Sequence, residues 1–248
     1  MKLLILSVAV LLSPSLLAQE GERLIKFQSE DGVTITADLY MIHPDTAPFI
    51  VLFHQANWSR GEYNEIAPEL NTLGYNCLSV DLRSGGAINN VTNQTKLNAA
   101  KAMKSTQYVD ALVDMRAAIN YAKKNFASDK LIIWGSSYSS ALALKLAADM
   151  NESVDAVIAF SPGEYFVAQG KPRDYITSVA GNIDQHTFIA SAKSEKGNWW
   201  GIYVSITSDN KSYYLPETVG NHGSKALWSQ YSDSGGYWKA LKSFLASI

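Results

Sequence analysis

The sequence predicts an α/β chain with a mostly parallel central sheet and helices on both of its faces. Short apolar runs alternate along the chain with stretches of helical periodicity, as expected for buried strands joined by crossover helices. Apolar residues make up 47% and charged residues 18% of the 248 positions, a globular composition that excludes disordered, collagenous and low-complexity classes. No internal repeat and no Pro/Ser-rich linker divides the chain, so one domain is expected.

Residues 1–18 read as a secretory signal peptide. Lys2 supplies the positive start, residues 3–12 are apolar apart from Ser7, Ser13-Pro14 breaks the run, and Ala18 offers a small residue before Gln19. The run is short for a bilayer span and no stop-transfer pattern follows, which favours a cleaved leader over an N-terminal anchor. The expectation is a periplasmic or secreted bacterial protein, without a membrane span once the leader is removed, whose mature part is a single domain over residues 19–248. The lone cysteine, Cys77, excludes an intrachain disulfide and a multi-cysteine metal site. The balance of 21 basic and 23 acidic side chains lacks the electrostatic footprint of a nucleic-acid binder.

Along the mature part, residues 34–41 alternate apolar and polar, as an early edge strand does. Residues 49–53 are a continuous apolar run and read as a strand buried on both faces, and residues 76–82 read as a second buried strand, the two separated by a helix over 63–73 that Gly74 ends. Residues 108–126 form an amphipathic helix with Val109, Leu112, Val113, Ala117 and Tyr121 on one face. A strand at 131–134, a small-residue helix at 137–150, strands at 154–160, 187–192 and 212–215, and a closing helix at 236–248 complete the order. Residues 84–106 and 161–184 show no clear periodicity. Both follow strands, and in open α/β sheets the loops at the carboxyl ends of strands line the ligand crevice.

Gly135-Ser136-Ser137-Tyr138-Ser139 lies between an apolar strand and an Ala/Leu-rich helix. The logic of G-x-S-x-G is a tight strand-to-helix turn that lifts the central serine hydroxyl above the sheet edge, and small residues on either side let the turn close. Here Ser139 stands where the second glycine is usual. Ser137 is therefore the candidate nucleophile, against the alternative of a serine that only caps a helix.

With His54-Gln55-Ala56 after an early strand, Gly135 to Ser139 in mid-chain and Gly220-Asn221-His222-Gly223 near the end, the chain resembles the α/β-hydrolase superfamily, in particular its dienelactone-hydrolase-like and small carboxylesterase members. The resemblance implies a three-layer α/β-hydrolase fold with a small cap or none. It also implies the chain order nucleophile, acid, histidine. His222 is then the base, in a loop that Gly220 and Gly223 leave free to bring its ring over Ser137. Glu195, in the loop after the strand at 187–192, is the acid, with Glu164 after the preceding strand as the alternative. The oxyanion hole falls to the backbone N–H of Tyr138 and to that of Ala56, with Gln55 as the near alternative. His54 is read as a buried brace for that loop, and Arg60, Asp81 and Arg83 as ion pairs that hold loops. Trp58, Trp199 and Trp200 either wall a pocket or pack in the core.

These residues point to an exported serine hydrolase that cleaves carboxylic esters or related acyl compounds. Its expected partner is a small acyl substrate, and no metal, nucleotide or flavin cofactor is called for. The alternatives are a binding protein on the same fold with little turnover, and a short-peptide peptidase that uses the same three residues.

Overall fold

The structure, a computed structural model, describes residues 23–248. The leader expected at residues 1–18 lies outside the described residues. Among the described residues ten strands form: β1 Arg23–Gln28, β2 Thr34–Tyr40, β3 Phe49–Phe53, β4 Asn76–Val80, β5 Ala87–Ile88, β6 Val91–Thr92, β7 Leu131–Ser136, β8 Ala156–Phe160, β9 His186–Ala190 and β10 Lys211–Tyr214. Eight of them make one sheet in the order β1-β2-β4-β3-β7-β8-β9-β10, and β5 and β6 form a separate hairpin. β2 runs antiparallel to both β1 and β4, and every later pairing in the large sheet is parallel. The helices are α1 Ile66–Thr72, α2 Gln94–Lys101, α3 Ala111–Asn125, α4 Tyr138–Asp149, α5 Thr177–Ala180, α6 Lys196–Ser205 and α7 Ser234–Leu245. This is the α/β-hydrolase architecture that the sequence predicts.

The continuous apolar runs have the reason expected of them. Successive strand side chains point to opposite faces, so Phe49, Val51 and Phe53 of β3 pack in the layer that holds α3 and α4, while Ile50 and Leu52 pack against α1 and α7. Both faces are covered, and a strand between them needs apolar residues at every position. No helix among the described residues is long and apolar enough to cross a membrane.

Two expectations need correction. Residues 34–41 do not form the edge, because β1 pairs outside β2. The polar residues in its alternation are buried too: the Thr36 N–H donates to Thr95 Oγ1 of α2 at 3.0 Å, and Asp38 pairs with Arg60 at 2.8 Å. Nor is the stretch 84–106 irregular throughout. It holds the β5–β6 hairpin and α2, whose start is capped by Asn93 Oδ1 accepting from the Lys96 N–H at 2.8 Å. α2 is mostly polar and buries only Thr95 and Ala99, so it carries almost no apolar periodicity to mark it in the sequence.

Candidate active site

The four loops that build the site leave β3, β7, β8 and β9 at their carboxyl ends, and a fifth loop, after β10, brings His222 to them. At the end of β7 the chain turns sharply into α4, and Ser137 takes φ 59° and ψ −123° at the turn. A non-glycine residue with positive φ is strained and is held only where its surroundings over-determine it. Here they do. The Ser137 N–H donates to the Phe160 carbonyl at 2.7 Å, and the Ser137 carbonyl accepts from the Ser140 N–H at 2.9 Å and the Ser140 hydroxyl at 2.6 Å. Gly135 is required by close approach: a Cβ there would lie 2.4 Å from the backbone of Ser139 and Ser140. Ser139 does more than fill the place of a glycine. Its buried hydroxyl accepts from the Ser136 N–H at 2.9 Å and lies 2.9 Å from the Phe53 carbonyl, which ties the turn to the end of β3.

His222 Nδ1 lies 2.5 Å from Glu195 Oε1. The other oxygen of Glu195 accepts the Ser161 hydroxyl at 2.7 Å and the Ala192 N–H at 3.1 Å. Burial works to raise the Glu195 carboxyl, but the bonds from His222 and Ser161 outweigh it and hold the group below the usual carboxylate range. Ser161 links the two loops, since its Oγ also accepts the Gly223 N–H at 2.8 Å. Glu164, the alternative acid, is used elsewhere. It accepts the N–H groups of Ile176 and Thr177 and the Thr177 hydroxyl at the start of α5.

The histidine loop is tightly seated, and its glycines do not serve looseness. Gly223 has φ 74°, and a Cβ there would stand 2.6 Å from Ser136 Oγ, the side chain just before Ser137. The Ser224 N–H donates to that same Ser136 Oγ at 2.8 Å, and the Ser224 hydroxyl accepts from Trp134 Nε1 at 2.9 Å. The loop that carries His222 therefore rests directly on the turn that carries Ser137.

The loop after β3 separates Gln55 from Ala56. The Gln55 N–H donates to Glu62 Oε2 at 2.7 Å, so it points inward and is not presented to an oxyanion. The Tyr138 N–H opens α4 and has no helical acceptor four residues before it. His54 is fully buried. Its Nδ1 lies 2.8 Å from the Gln55 carbonyl, and its Nε2 accepts the Leu82 N–H at 2.9 Å. Burial pulls the imidazole down to about 4, so at neutral pH it is an uncharged brace for this loop. Asn93 reinforces it by bonding His54 Nε2 and the carbonyls of Leu82 and Trp58.

Arg60 pairs with Asp38 and Asp81, and Arg83 with Asp31 and Asp114, so these arginines hold loops together. Trp199 is buried with Nε1 on Ser191 Oγ, Trp200 is partly exposed, and Trp58 stacks on Trp228 with ring centres 5.3 Å apart. Sequence reasoning missed Ser136, Ser161 and Glu62. Each carries a bond that joins two site loops; the motif leaves the residue at 136 open, and nothing in the local pattern marks 161 or 62. Among the described residues no group of His, Cys, Asp or Glu has the arrangement of a metal site.

The profile of the hydrolase family described as serine aminopeptidase, S33, matches residues 44–185, which take in the β3 loop and the Ser137 turn. Among curated proteins no sequence match is found. Solved structures share the fold at low identity. The esterase Pf2001 of Pyrococcus furiosus superposes with a TM-score of 0.68 at 16% identity, over 91% of this chain and 92% of that one. The dienelactone hydrolase of Anabaena variabilis gives 0.69 at 14%, over 92% and 97%. Est1E of Butyrivibrio proteoclasticus, solved with ferulic acid bound, gives 0.67 at 14%, over 90% and 98%. The chain is a hydrolase of the α/β fold and belongs to the serine aminopeptidase S33 family.

Proposed function

We propose that this hydrolase is an exported serine esterase, acting on carboxylic esters or related acyl compounds through an acyl-enzyme on Ser137. The observation that carries the reading is the contact of Glu195 with His222 Nδ1 at 2.5 Å, made by a loop that rests on the residue next to Ser137. With Glu195 ionised, Nδ1 carries the proton and Nε2 keeps a lone pair. Nε2 then takes the proton of Ser137 as its Oγ attacks the substrate carbonyl, and Glu195 stabilises the resulting imidazolium. The N–H groups of Tyr138 and Ala56 stabilise the oxyanion. His222 returns the proton to the leaving group, and water then cleaves the acyl-enzyme with the same base.

The segment between β8 and β9 holds only a single 3-10 turn at Val167–Gln169 and the four-residue α5, which suits an open site for small or medium acyl groups. Three structural relatives named as an esterase, a dienelactone hydrolase and a protein binding ferulic acid agree with ester chemistry. The family's own description favours a second reading, hydrolysis of short peptides by the same residues. The leader supports export, with a mature chain that starts at Gln19.

A fluorophosphonate probe and a panel of esters, thioesters, lactones and peptides test these readings on the mature protein. Labelling that maps to Ser137 and is lost in Ser137→Ala, with turnover of esters above peptides, supports the esterase. Peptide turnover alone selects the second reading. A folded protein that is not labelled is a binding protein. N-terminal sequencing of the exported form tests the leader.

A further inference from the structure

Among the described residues four carboxylates are buried: Asp38, Glu62, Asp81 and Asp114. Arg60 pairs with Asp38 and Asp81, and Arg83 with Asp114. Glu62 is 0% exposed, and no lysine or arginine forms a salt bridge with it among the described residues. A buried carboxylate without a cation is costly, and such groups concentrate where chemistry uses them. The surroundings of Glu62 are specific. Its Oε2 accepts the Gln55 N–H at 2.7 Å, and its Oε1 accepts the Ser136 hydroxyl at 2.7 Å and faces Gln55 Nε2 at 3.4 Å. Ser136 Oγ in turn accepts the Ser224 N–H. One side chain thus holds the β3 loop by Gln55, the Ser137 turn by Ser136 and, through Ser136, the loop of His222.

We infer that Glu62 is a positioning residue of the site, which keeps the β3 loop, the Ser137 turn and the His222 loop in register and sets a carboxylate one hydroxyl away from the His222 loop. The inference rests on the serine-hydrolase reading above. The titratable groups that face Glu62 are Tyr63 on its own turn, Tyr138 at the start of α4 and His222. Burial holds both phenols neutral, which leaves His222 as the group whose charge Glu62 meets. Burial pushes the Glu62 carboxyl up to about 7, against the bonds from Ser136 and Gln55 and the attraction of His222. The carboxyl therefore changes charge in the pH range where the enzyme needs a neutral base. Ionised, it accepts all its donors and favours the imidazolium of the transition state. Protonated, it loses an acceptor position and the charge.

The test is the pH profile of kcat/KM for a chromogenic ester in wild type, Glu62→Gln and Ser136→Ala. Ser137 labelling is read first in wild type: its absence overturns the serine-hydrolase reading and this inference with it. With labelling present, wild type shows an acid limb shaped by two coupled ionisations. Glu62→Gln keeps its fold but loses roughly tenfold in kcat with little change in KM, and its limb becomes a single ionisation, because the one that Glu62 supplied is gone. Ser136→Ala removes a hydrogen bond that favours ionised Glu62, so its limb moves to higher pH. This second variant decides the matter if Glu62→Gln does not fold. Limbs that stay in place in the folded variants, whatever their melting temperatures, overturn the inference, since packing alone moves stability and not the limb.

Discussion

Replacing Glu195 by Gln keeps the shape of the side chain and removes its charge. The consequence follows from the three bonds that the carboxylate accepts. Ser161 and the Ala192 N–H both face Oε2, and His222 Nδ1 faces Oε1. Two donors on one side hold the amide oxygen of the variant there and turn its NH2 toward His222. The imidazole then accepts at Nδ1 and carries its proton on Nε2, the wrong tautomer for taking a proton from Ser137. In serine hydrolases the equivalent change lowers kcat by about 10⁴, or ~5.5 kcal/mol of transition-state stabilisation. The opposite rotamer restores the tautomer but sets NH2 against the Ala192 N–H, at a cost of about 1–3 kcal/mol. A fall in kcat of roughly 10³–10⁴ is expected, with KM changed by only about threefold. Glu164→Gln is the control. Its carboxylate caps α5, so it should lose about 1 kcal/mol of stability and keep its rate. Steady-state kinetics on a chromogenic ester and a thermal melt measure both. A loss under tenfold in Glu195→Gln, or equal losses in the two variants, refutes the assignment of the acid.

Arg83→Ala leaves Asp114 buried without its cation and should cost about 3–5 kcal/mol, a drop in Tm of roughly 10 °C for a chain of this size; a drop under about 3 °C would show that the pair is not needed. Gly223→Ala must hold φ 74° with a side chain and drive a Cβ to 2.6 Å from Ser136 Oγ, so both Tm and kcat should fall, the rate by about tenfold or more; an unchanged rate would mean that the His222 loop does not need its seat on the Ser137 turn. Glu62 also predicts a stability effect with a definite sign. Its folded carboxyl, at about 7, lies above the ordinary 4.5, so its contribution is fully present below pH 4.5 and is lost as pH rises through 7. Denaturant titrations should show Glu62→Gln gaining on wild type by roughly 3 kcal/mol between those limits, and a pH-independent difference would contradict it.

The sequence made the sheet legible because a strand covered on both faces is mostly apolar: β3 and β8 are apolar throughout, and β4, β7 and β9 are apolar at most positions. It hid β1, whose pattern Arg-Leu-Ile-Lys-Phe-Gln is half exposed at the sheet edge, and α2, which buries two small residues and is anchored instead by its cap. The same contrast runs through the site. Ser137, Glu195 and His222 stand in a fixed chain order at recognisable strand ends, so the pattern names them. The choice between Glu195 and Glu164 is not in the pattern, because each follows a strand in the parallel sheet. The two differ in space, where α5 takes one carboxylate and His222 meets the other. Ala56 and Gln55 likewise differ by a contact that the pattern does not show, since Glu62 claims the Gln55 N–H.

Ser161 and Glu62 lie outside every motif and Ser136 is only a spacer within one, yet without these three the motif residues have no fixed relation to one another. Each of the five loops leaves a different strand, and a loop alone has several conformations of similar energy. What converts them into one geometry is a set of hydroxyls that bond two loops at once: Ser139 joins the Ser137 turn to β3, Ser136 joins it to the His222 loop, and Ser161 joins Glu195 to Gly223. A hydroxyl suits this work because it donates and accepts together. That also accounts for the departure from G-x-S-x-G at its last position. Glycine there would close the turn equally well but would leave the Ser136 N–H without this acceptor and remove the tie to Phe53, so the serine at 139 belongs to the bracing of the site as much as to the shape of the turn.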